Sequence, residues 1–330
     1  MKKFFAIFFA VGAIAIAACN KQDKPGEQVD LTELNALVAQ CENLVAGATT
    51  ATFPQAAIDN FKNVIATVKS AIPEVKTQAA ANNLVAQLKA AKQVFEESEY
   101  GAIPADALAW ALNFEDVVNG TASITTSGKY NWKVDFVAGN DGVPTFVNGH
   151  KAGTKGLQFG QGGHLEIASP IASVLESPTF SISCWVNTPI NENNYILSWN
   201  KWDTWKFQTQ STNKAFLTVH QMPSDKWIDH DGNTEIPENE WHHVVATIDL
   251  TNGAMAYYLD GELTMLWNHE NDDRFIPNQT FAPAPEGSIL FIGLQEEGSD
   301  SYYVGKLDDL QFYTIALDGG QVSKLFNDQK

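Results

Sequence analysis

The stretch WHHVVATIDL at residues 241–250, followed by TNGAMAYYLDGE at 251–262, decides the fold of the larger part of this chain. Apolar side chains at Val244, Ala246 and Ile248 alternate with their neighbours, the period of a strand that buries one face. Asp260-Gly261 is a dipeptide that favours a two-residue hairpin turn, since it tolerates positive φ at both positions. The segment therefore predicts antiparallel strands joined by a tight turn.

The same alternation of apolar and polar residues occurs on both sides of this hairpin in the sequence. Phe180, Ile182, Cys184 and Val186 alternate in one further run, and residues 288–294 and 302–313 supply late strands. Short alternating runs separated by turn residues are typical of an all-β sandwich. We expect this sandwich to occupy residues 105–330, with a short closing helix from about Asp318.

Residues 29–99 have a pattern that is typical of helices instead. Apolar residues recur there at three- and four-residue spacing among good helix formers, and Gly47 and Pro73 interrupt the pattern. Three amphipathic helices can share one core, so the chain is predicted to be multidomain: a small helical bundle followed by an all-β sandwich. The bundle fits a spacer that holds the next domain off a membrane, or a partner-binding helical face.

Residues 1–18 have the pattern of an export signal, and Cys19 follows them directly. Lys2 and Lys3 precede an apolar run from Phe4 to Ala18, and small residues lead directly into Cys19. This pattern resembles the bacterial lipoprotein signal, in which the cysteine is lipidated and becomes the first mature residue. A transmembrane helix is the alternative, but the run is shorter than the about 20 residues that a span needs.

The lipoprotein interpretation sets the expected location. Residues 1–18 would be removed, Cys19 would carry acyl chains, and the polar residues 19–28 would be a flexible tether. The mature protein would be lipid-anchored in the bacterial cell envelope, at the outer membrane. Whether it faces the periplasm or the medium is left open by the residues after Cys19.

Composition limits the partners. The chain has 330 residues and a net charge of −18, which becomes −20 when Lys2 and Lys3 are removed. The electrostatic field of this negative charge repels nucleic acid, whereas neutral ligands and cations are tolerated. Besides Cys19, the chain holds Cys41 and Cys184, which we expect to be buried as small hydrophobic residues in different domains.

The segment from Tyr195 to Trp227 is the candidate binding region. A sugar ring needs a flat aromatic surface for its C–H face and polar partners at its edge. The candidate ligand-binding residues are Trp199, Trp202, Trp205, Lys206, Gln208, Gln210, His220 and Trp227. Alternation on one strand would place Lys206, Gln208 and Gln210 on one face. The alternative is that the tryptophans cover loops or fill the core.

Several stretches match one known family in order and spacing: ALNFE (111–115), GLQFG (156–160), GHLEI (163–167), FSISCWV (180–186), WHHVV (241–245), YLDGE (258–262) and GKLDDLQFY (305–313). Together they resemble the concanavalin A-like, laminin G-type jelly roll of bacterial surface proteins. The resemblance implies two antiparallel sheets. It also implies a domain that binds carbohydrate or protein, commonly with Ca²⁺ nearby.

The resemblance also suggests a calcium site. Glu115 or Asp116 near the start, and Asp308 or Asp309 near the end, would meet if the first and last strands pair. Ca²⁺ takes six to eight oxygen ligands, so backbone carbonyls and water would complete the shell.

The leading functional hypothesis is a lipid-anchored protein whose sandwich binds a glycan without catalysis. A glycoside hydrolase is one alternative, since the wider superfamily contains such enzymes. The chain lacks the E-x-D-x-x-E run that aims alternate carboxylates into the cleft of retaining jelly-roll hydrolases. A protein-binding adhesion module is the other alternative.

Overall fold

The computed structural model describes residues 29–330 except 51, 100, 116, 117, 192 and 211. Residues 1–28, which contain the predicted signal, Cys19 and the tether, lie outside the described residues. The chain divides into two compact units, Met1–Glu99 and Tyr100–Lys330.

The first unit is built from three helices, α1 (Thr32–Gly47), α2 (Gln55–Ala71) and α3 (Gln78–Glu97). Their apolar stripes meet in one core, in which Phe95 stacks on Phe53 at 4.3 Å and on Phe61 at 4.6 Å. Thr77 caps α3 by accepting a hydrogen bond from the backbone of Ala80 at 3.2 Å. Cys41 is buried in this core.

The second unit is a sandwich of two antiparallel sheets, which we name sheet A and sheet B. Sheet A consists of β1 (Leu108–Leu112), β4 (Thr145–Asn148), β5 (Lys155–Phe159), β7 (Thr179–Asn187), β12 (His242–Asp249), β13 (Ala254–Leu259), β14 (Glu262–Asn268) and β17 (Gly305–Tyr313). Sheet B consists of β2 (Ser123–Thr125), β3 (Lys133–Val137), β6 (His164–Ile167), β8 (Asn194–Trp199), β9 (Trp205–Gln210), β10 (Lys214–Met222), β11 (Lys226–Glu235), β15 (Thr280–Phe281) and β16 (Leu290–Ile292).

Crossovers between distant strands define the topology. Sheet A runs in the order β14-β13-β12-β7-β17-β5-β4, and β1 also pairs with β17. Sheet B runs β11-β10-β9-β8-β16-β6-β3-β2, with β15 against β10. The first and last strands of the unit therefore pair, as the calcium-site hypothesis assumed.

The hydrophobic core lies between the sheets and includes Cys184. A short helix, α4 (Ala172–Leu175), contributes Val174 and Leu175 to it. The closing helix α5 (Gly319–Gln329) packs Val322 and Leu325 on the outer face of sheet A. Helix α5 thus covers part of the outer face of sheet A, and sheet B supplies the polar face described below.

The predicted fold class is confirmed: a helical module is followed by a β sandwich. The hairpin at Asp260-Gly261 has the predicted positive φ values, 51° and 84°, and joins β13 to β14. In the part of the chain that the structure describes, no helix is both long and apolar enough to span a membrane.

Candidate functional site

Strand β9 divides its side chains between the core and the outer face of sheet B. Trp205 and Phe207 point into the core, so Lys206, Gln208 and Gln210 lie on the outer face. The register places Lys206 between Ser198 of β8 and Thr218 of β10, and Thr218 opposite Asp229 of β11. A polar row therefore crosses four adjacent strands.

Lys206 is the centre of this row. Its side chain is only 2% exposed, and its ammonium lies 4.8–5.1 Å from three ring centroids, those of Tyr195, Trp202 and Phe216. Burial lowers the pKa of Lys206 to about 8, with Asp229 opposing the shift. The site thus holds a cation that loses its charge just above neutral pH.

Glutamine amides continue the polar surface along β9. The Lys206 ammonium donates to Gln208 Oε1. Gln208 Nε2 in turn lies 3.2 Å from Gln210 Oε1 and 3.4 Å from Asn193 Oδ1. Because each side chain is fixed by the next, these groups form a pre-arranged hydrogen-bonded network, in which Lys206 and Gln208 are buried and Gln210 is partly exposed.

Two exposed indoles stand at the other end of this surface. Trp202 is 46% exposed on the short 3₁₀ turn Lys201–Asp203, and Trp227 is 39% exposed on β11. Trp227 stacks on His220 with 3.7 Å between centroids and 11° between planes. His220 is held in turn by Asp225, 2.8 Å from its Nε2. The structure thus brings Trp202, Trp227, His220, Lys206, Gln208 and Gln210 onto one outer face.

The other two predicted tryptophans do not belong to this surface. Trp199 is 2% exposed and Trp205 is fully buried, and both lie in the core between the sheets. Trp205 Nε1 donates to the carbonyl of Leu175 at 2.8 Å, and Trp199 Nε1 donates to Glu176 at 3.1 Å. Strand alternation is the reason, because Trp205 occupies the face opposite Lys206. The prediction that Trp199 and Trp205 bind ligand is wrong.

Sequence reasoning missed two ring partners of Lys206, Tyr195 and Phe216. Each lies on a neighbouring strand, opposite Gln208 in the β8–β9 and β9–β10 registers. Their role depends on strand pairing, so alternation within a single strand could not identify it.

Three of the four acidic residues predicted to bind calcium, Glu115, Asp308 and Asp309, lie close enough to interact electrostatically. Asp308 is fully buried and accepts hydrogen bonds from the backbone of His150 at 3.0 Å and of Asp309 at 2.8 Å. His150 Nδ1 lies 2.7 Å from the same carboxylate, and its ring stacks on Trp185 at 4.2 Å. Burial and the Asp308 charge raise the pKa of Asp309 to about 6.

In the structure, carboxylate oxygens of two of these residues accept hydrogen bonds from N–H donors. Both oxygens of Asp308 accept from N–H donors, and Glu115 Oε1 accepts from the backbone of Lys155 at 3.1 Å. Asp116 lies outside the described residues. Among the residues described, no group of three or more His, Cys, Asp or Glu side chains is placed to hold a metal. The arrangement is a hydrogen-bonded carboxylate–histidine pair, and calcium binding stays a prediction.

A facing pair of carboxylates lies elsewhere on the outer face of sheet B. Asp135 of β3 and Glu166 of β6 are register partners. Asp135 is paired with Lys133 at 2.6 Å, and Glu166 lies 3.1 Å from His164 Nε2. Each carboxylate is therefore engaged by a residue of its own strand.

The fold of this chain is similar to that of several solved structures. One solved structure is domain 4 of AbnA, a GH43 extracellular arabinanase from Geobacillus stearothermophilus, in complex with arabinotriose. It is 19% identical, with a TM-score of 0.50 over 67% of this chain and 99% of that one. Another is the binding domain of Paraclostridial Mosquitocidal Protein 1, 17% identical, with a TM-score of 0.50 over 68% of this chain and 52% of that one.

Among curated proteins, none matches this sequence. A laminin G family model, described as the concanavalin A-like lectin/glucanases superfamily, matches residues 159–323, half of the chain. The matched stretch contains all the strands of the polar outer face from β8 to β11. The chain therefore belongs to the concanavalin A-like lectin/glucanases superfamily.

Proposed function

We propose that this protein is an exported, lipid-anchored carbohydrate-binding protein, and that its sandwich holds a glycan on the outer face of sheet B without catalysis. The observation that carries the proposal is the placement of exposed Trp202 and Trp227 beside the buried Lys206–Gln208 pair. An aromatic surface next to fixed polar groups is what a sugar ring requires.

The electrostatics of the face favour an uncharged ligand. Lys206 is countered by Asp229 nearby, and Asp225 beside His220 adds a further carboxylate. A sugar hydroxyl can both donate to a carboxylate or amide oxygen and accept from an ammonium or amide N–H. The mixed donors and acceptors of this face suit hydroxyl groups better than they suit an anion.

The likeness in fold to domain 4 of the arabinanase supports the class of ligand. That domain was solved with arabinotriose bound, and its length is almost fully covered by this chain. At 19% identity the likeness concerns the fold, so it supports carbohydrate as the ligand class and does not specify the sugar.

Anchoring rests on the sequence of the first nineteen residues. Lipidation at Cys19 would place the helical unit and the sandwich outside the cytoplasm, at the outer membrane. Growth with a labelled fatty acid tests this, because label should be lost in Cys19→Ala. Label retained in that variant would contradict the anchor.

Glycan binding is tested with a panel of neutral and acidic polysaccharides and three proteins: wild type, Trp202→Ala and Leu263→Ala. Leu263 is 53% exposed on β14 of the other sheet and serves as the matched surface control. Wild type and Leu263→Ala should be retained by a neutral polysaccharide, and Trp202→Ala should bind at least tenfold more weakly. Retention of wild type by no polysaccharide would contradict the proposal.

A further inference from the structure

Two adjacent clefts open at one rim of the sandwich, and the surface residues Tyr302 and Val304 line both. The first measures about 500 Å³ and is also lined by Asp141, Phe159 and Gln161. The second measures about 320 Å³ and is also lined by Asn191, Asn193 and Asp300. Both volumes lie within the range of small-molecule sites.

The segment that carries Tyr302 is held rigidly. Tyr303 is fully buried and donates its backbone N–H to the carbonyl of Gly293 at 2.9 Å. Buried Asn194 accepts from the backbone of Val304 at 2.6 Å, and Thr188 donates to the Val304 carbonyl at 2.9 Å. These bonds fix the backbone next to Tyr302, which lowers the conformational entropy that this segment would lose on binding.

The groups around the Tyr302 ring suit an uncharged polyol. The Tyr302 hydroxyl makes no hydrogen bond to any residue that the structure describes. Asp141 is fixed at the first cleft, accepting from the backbone of Gln161 at 3.2 Å. In the described part of the chain neither cleft is lined by Lys, Arg or His, while each includes an aspartate. An anionic ligand would be repelled, whereas hydroxyl groups could donate to these carboxylates.

One contact links the second cleft to the outer face of sheet B. Asn193, which lines the second cleft, accepts from Gln208 Nε2 at 3.4 Å. The Lys201 ammonium, next to Trp202, is paired with Glu296, on the connection that leads to Tyr302. The β9 side chains from Lys206 to Gln210 alone span about 13 Å of strand. This part of the face is already longer than a single sugar ring, and the clefts add further length to it.

We propose that the Tyr302 clefts form a second carbohydrate subsite, continuous with the Trp202–Trp227 site, so that the ligand is an extended chain of neutral sugars. This inference rests on the proposed function and adds to it the length and charge class of the ligand. Tyr302 stacks on a sugar ring in the clefts, and Asp141 or Asp300 accepts its hydroxyl groups.

The test uses oligosaccharides of increasing length, prepared from whichever neutral polysaccharide retains the full-length protein, with affinity measured by calorimetry. Wild-type affinity should rise in two stages as the chain first covers the Trp202 site and then reaches Tyr302. Tyr302→Ala should remove only the second stage, weakening long ligands by about tenfold and leaving short ones unchanged. The affinity of Tyr302→Phe, which keeps the ring, should stay within threefold of the wild-type affinity. The control variant Leu263→Ala should bind with the same affinity as wild type.

The outcomes separate the two proposals. Equal affinity of Tyr302→Ala and wild type at every length overturns the second subsite and leaves the first intact. A large loss in Tyr302→Ala with none in Trp202→Ala supports the clefts and overturns the outer-face site. Tighter binding of an acidic polysaccharide such as polygalacturonate overturns the neutral-ligand class. Failure of wild type to bind any glycan overturns both proposals.

Discussion

The indole Nε1 of Trp227 donates a hydrogen bond to the carbonyl oxygen of Trp202 at 2.7 Å. This bond joins the two exposed rings of the candidate site, although they lie on different elements. The turn that carries Trp202 follows Asn200, and both Asn200 and Lys201 have a φ of 50°, a left-handed conformation that non-glycine residues rarely adopt. A turn of this kind needs outside contacts to persist, and Trp227 supplies one.

Trp227→Phe should therefore weaken binding through Trp202 as well as through its own ring. It keeps an aromatic surface but loses the N–H donor. We expect faster amide exchange at residues 201–203 and about a three- to tenfold loss of glycan affinity. In a double-mutant cycle, Trp202→Ala should cost less in the Trp227→Phe background than in wild type. Additive losses would show that the two rings act independently.

Lys206→Met should separate binding from stability. Methionine keeps the length and apolar character of the stem, so the rings of Tyr195, Trp202 and Phe216 keep a packing partner. Removing a buried charge also removes its desolvation cost, so the free energy of unfolding should stay within about 1 kcal/mol of wild type or rise. Glycan affinity should fall about tenfold. Unchanged affinity in calorimetry would remove Lys206 from the site.

The charge of Lys206 should also set a pH dependence. Burial lowers the pKa of this amine to about 8, so the ammonium is lost as pH rises through that value. Glycan affinity of wild type should therefore decrease between about pH 7 and pH 9.5. Lys206→Met should show a flat profile over the same range. A parallel decline in the variant would assign the titration to another group.

Truncating Trp205 to alanine should lower the free energy of unfolding much more than truncating Trp202. Trp205 is fully buried against Phe180 and Phe312, so Trp205→Ala leaves a cavity and should cost about 3–5 kcal/mol of unfolding free energy. Trp202→Ala removes an exposed ring and should cost no more than about 1 kcal/mol. Urea unfolding of the two variants measures both. Similar losses would contradict the division of β9 between core and outer face.

Alternation along the chain predicted much of this architecture. It placed the strands around Phe180 and Val244, and it placed Lys206, Gln208 and Gln210 on one face. The same period already assigned Trp205 to the opposite face, but the composition of the segment suggested one aromatic cluster. Composition reports which residue types a segment contains, whereas the exposure of each side chain depends on the face of the strand that it occupies.

What the sequence could not supply was contact across strands and loops. Tyr195 and Phe216 meet Lys206 only because β8 and β10 flank β9 in a particular register. His150 meets Asp308 across 158 residues of chain. The Tyr302 clefts arise likewise from four connections between strands, so their residues share no sequence pattern.

The Asp308–Asp309 pair yields a stability prediction with a defined sign. In the folded protein burial and Asp308 raise the pKa of Asp309 to about 6, against an ordinary value of 3.8. The folded state thus binds the proton more tightly, and its stability falls as pH rises from about 4 to 6. Above pH 6 the ionised carboxylate remains destabilising, by at most about 3 kcal/mol for a shift of this size.

Asp309→Asn removes that charge and should raise the free energy of unfolding by about 1–3 kcal/mol at pH 8. The gain should vanish below about pH 4, where wild-type Asp309 is protonated in both states. Asparagine also tolerates the left-handed backbone of this residue, whose φ is 42°. Asp308→Asn is the matched comparison and should destabilise, because it weakens the acceptor of His150 at 2.7 Å. Urea unfolding at both pH values decides the matter: an equal gain for Asp309→Asn at pH 4 and pH 8 would mean that charge repulsion is not its source.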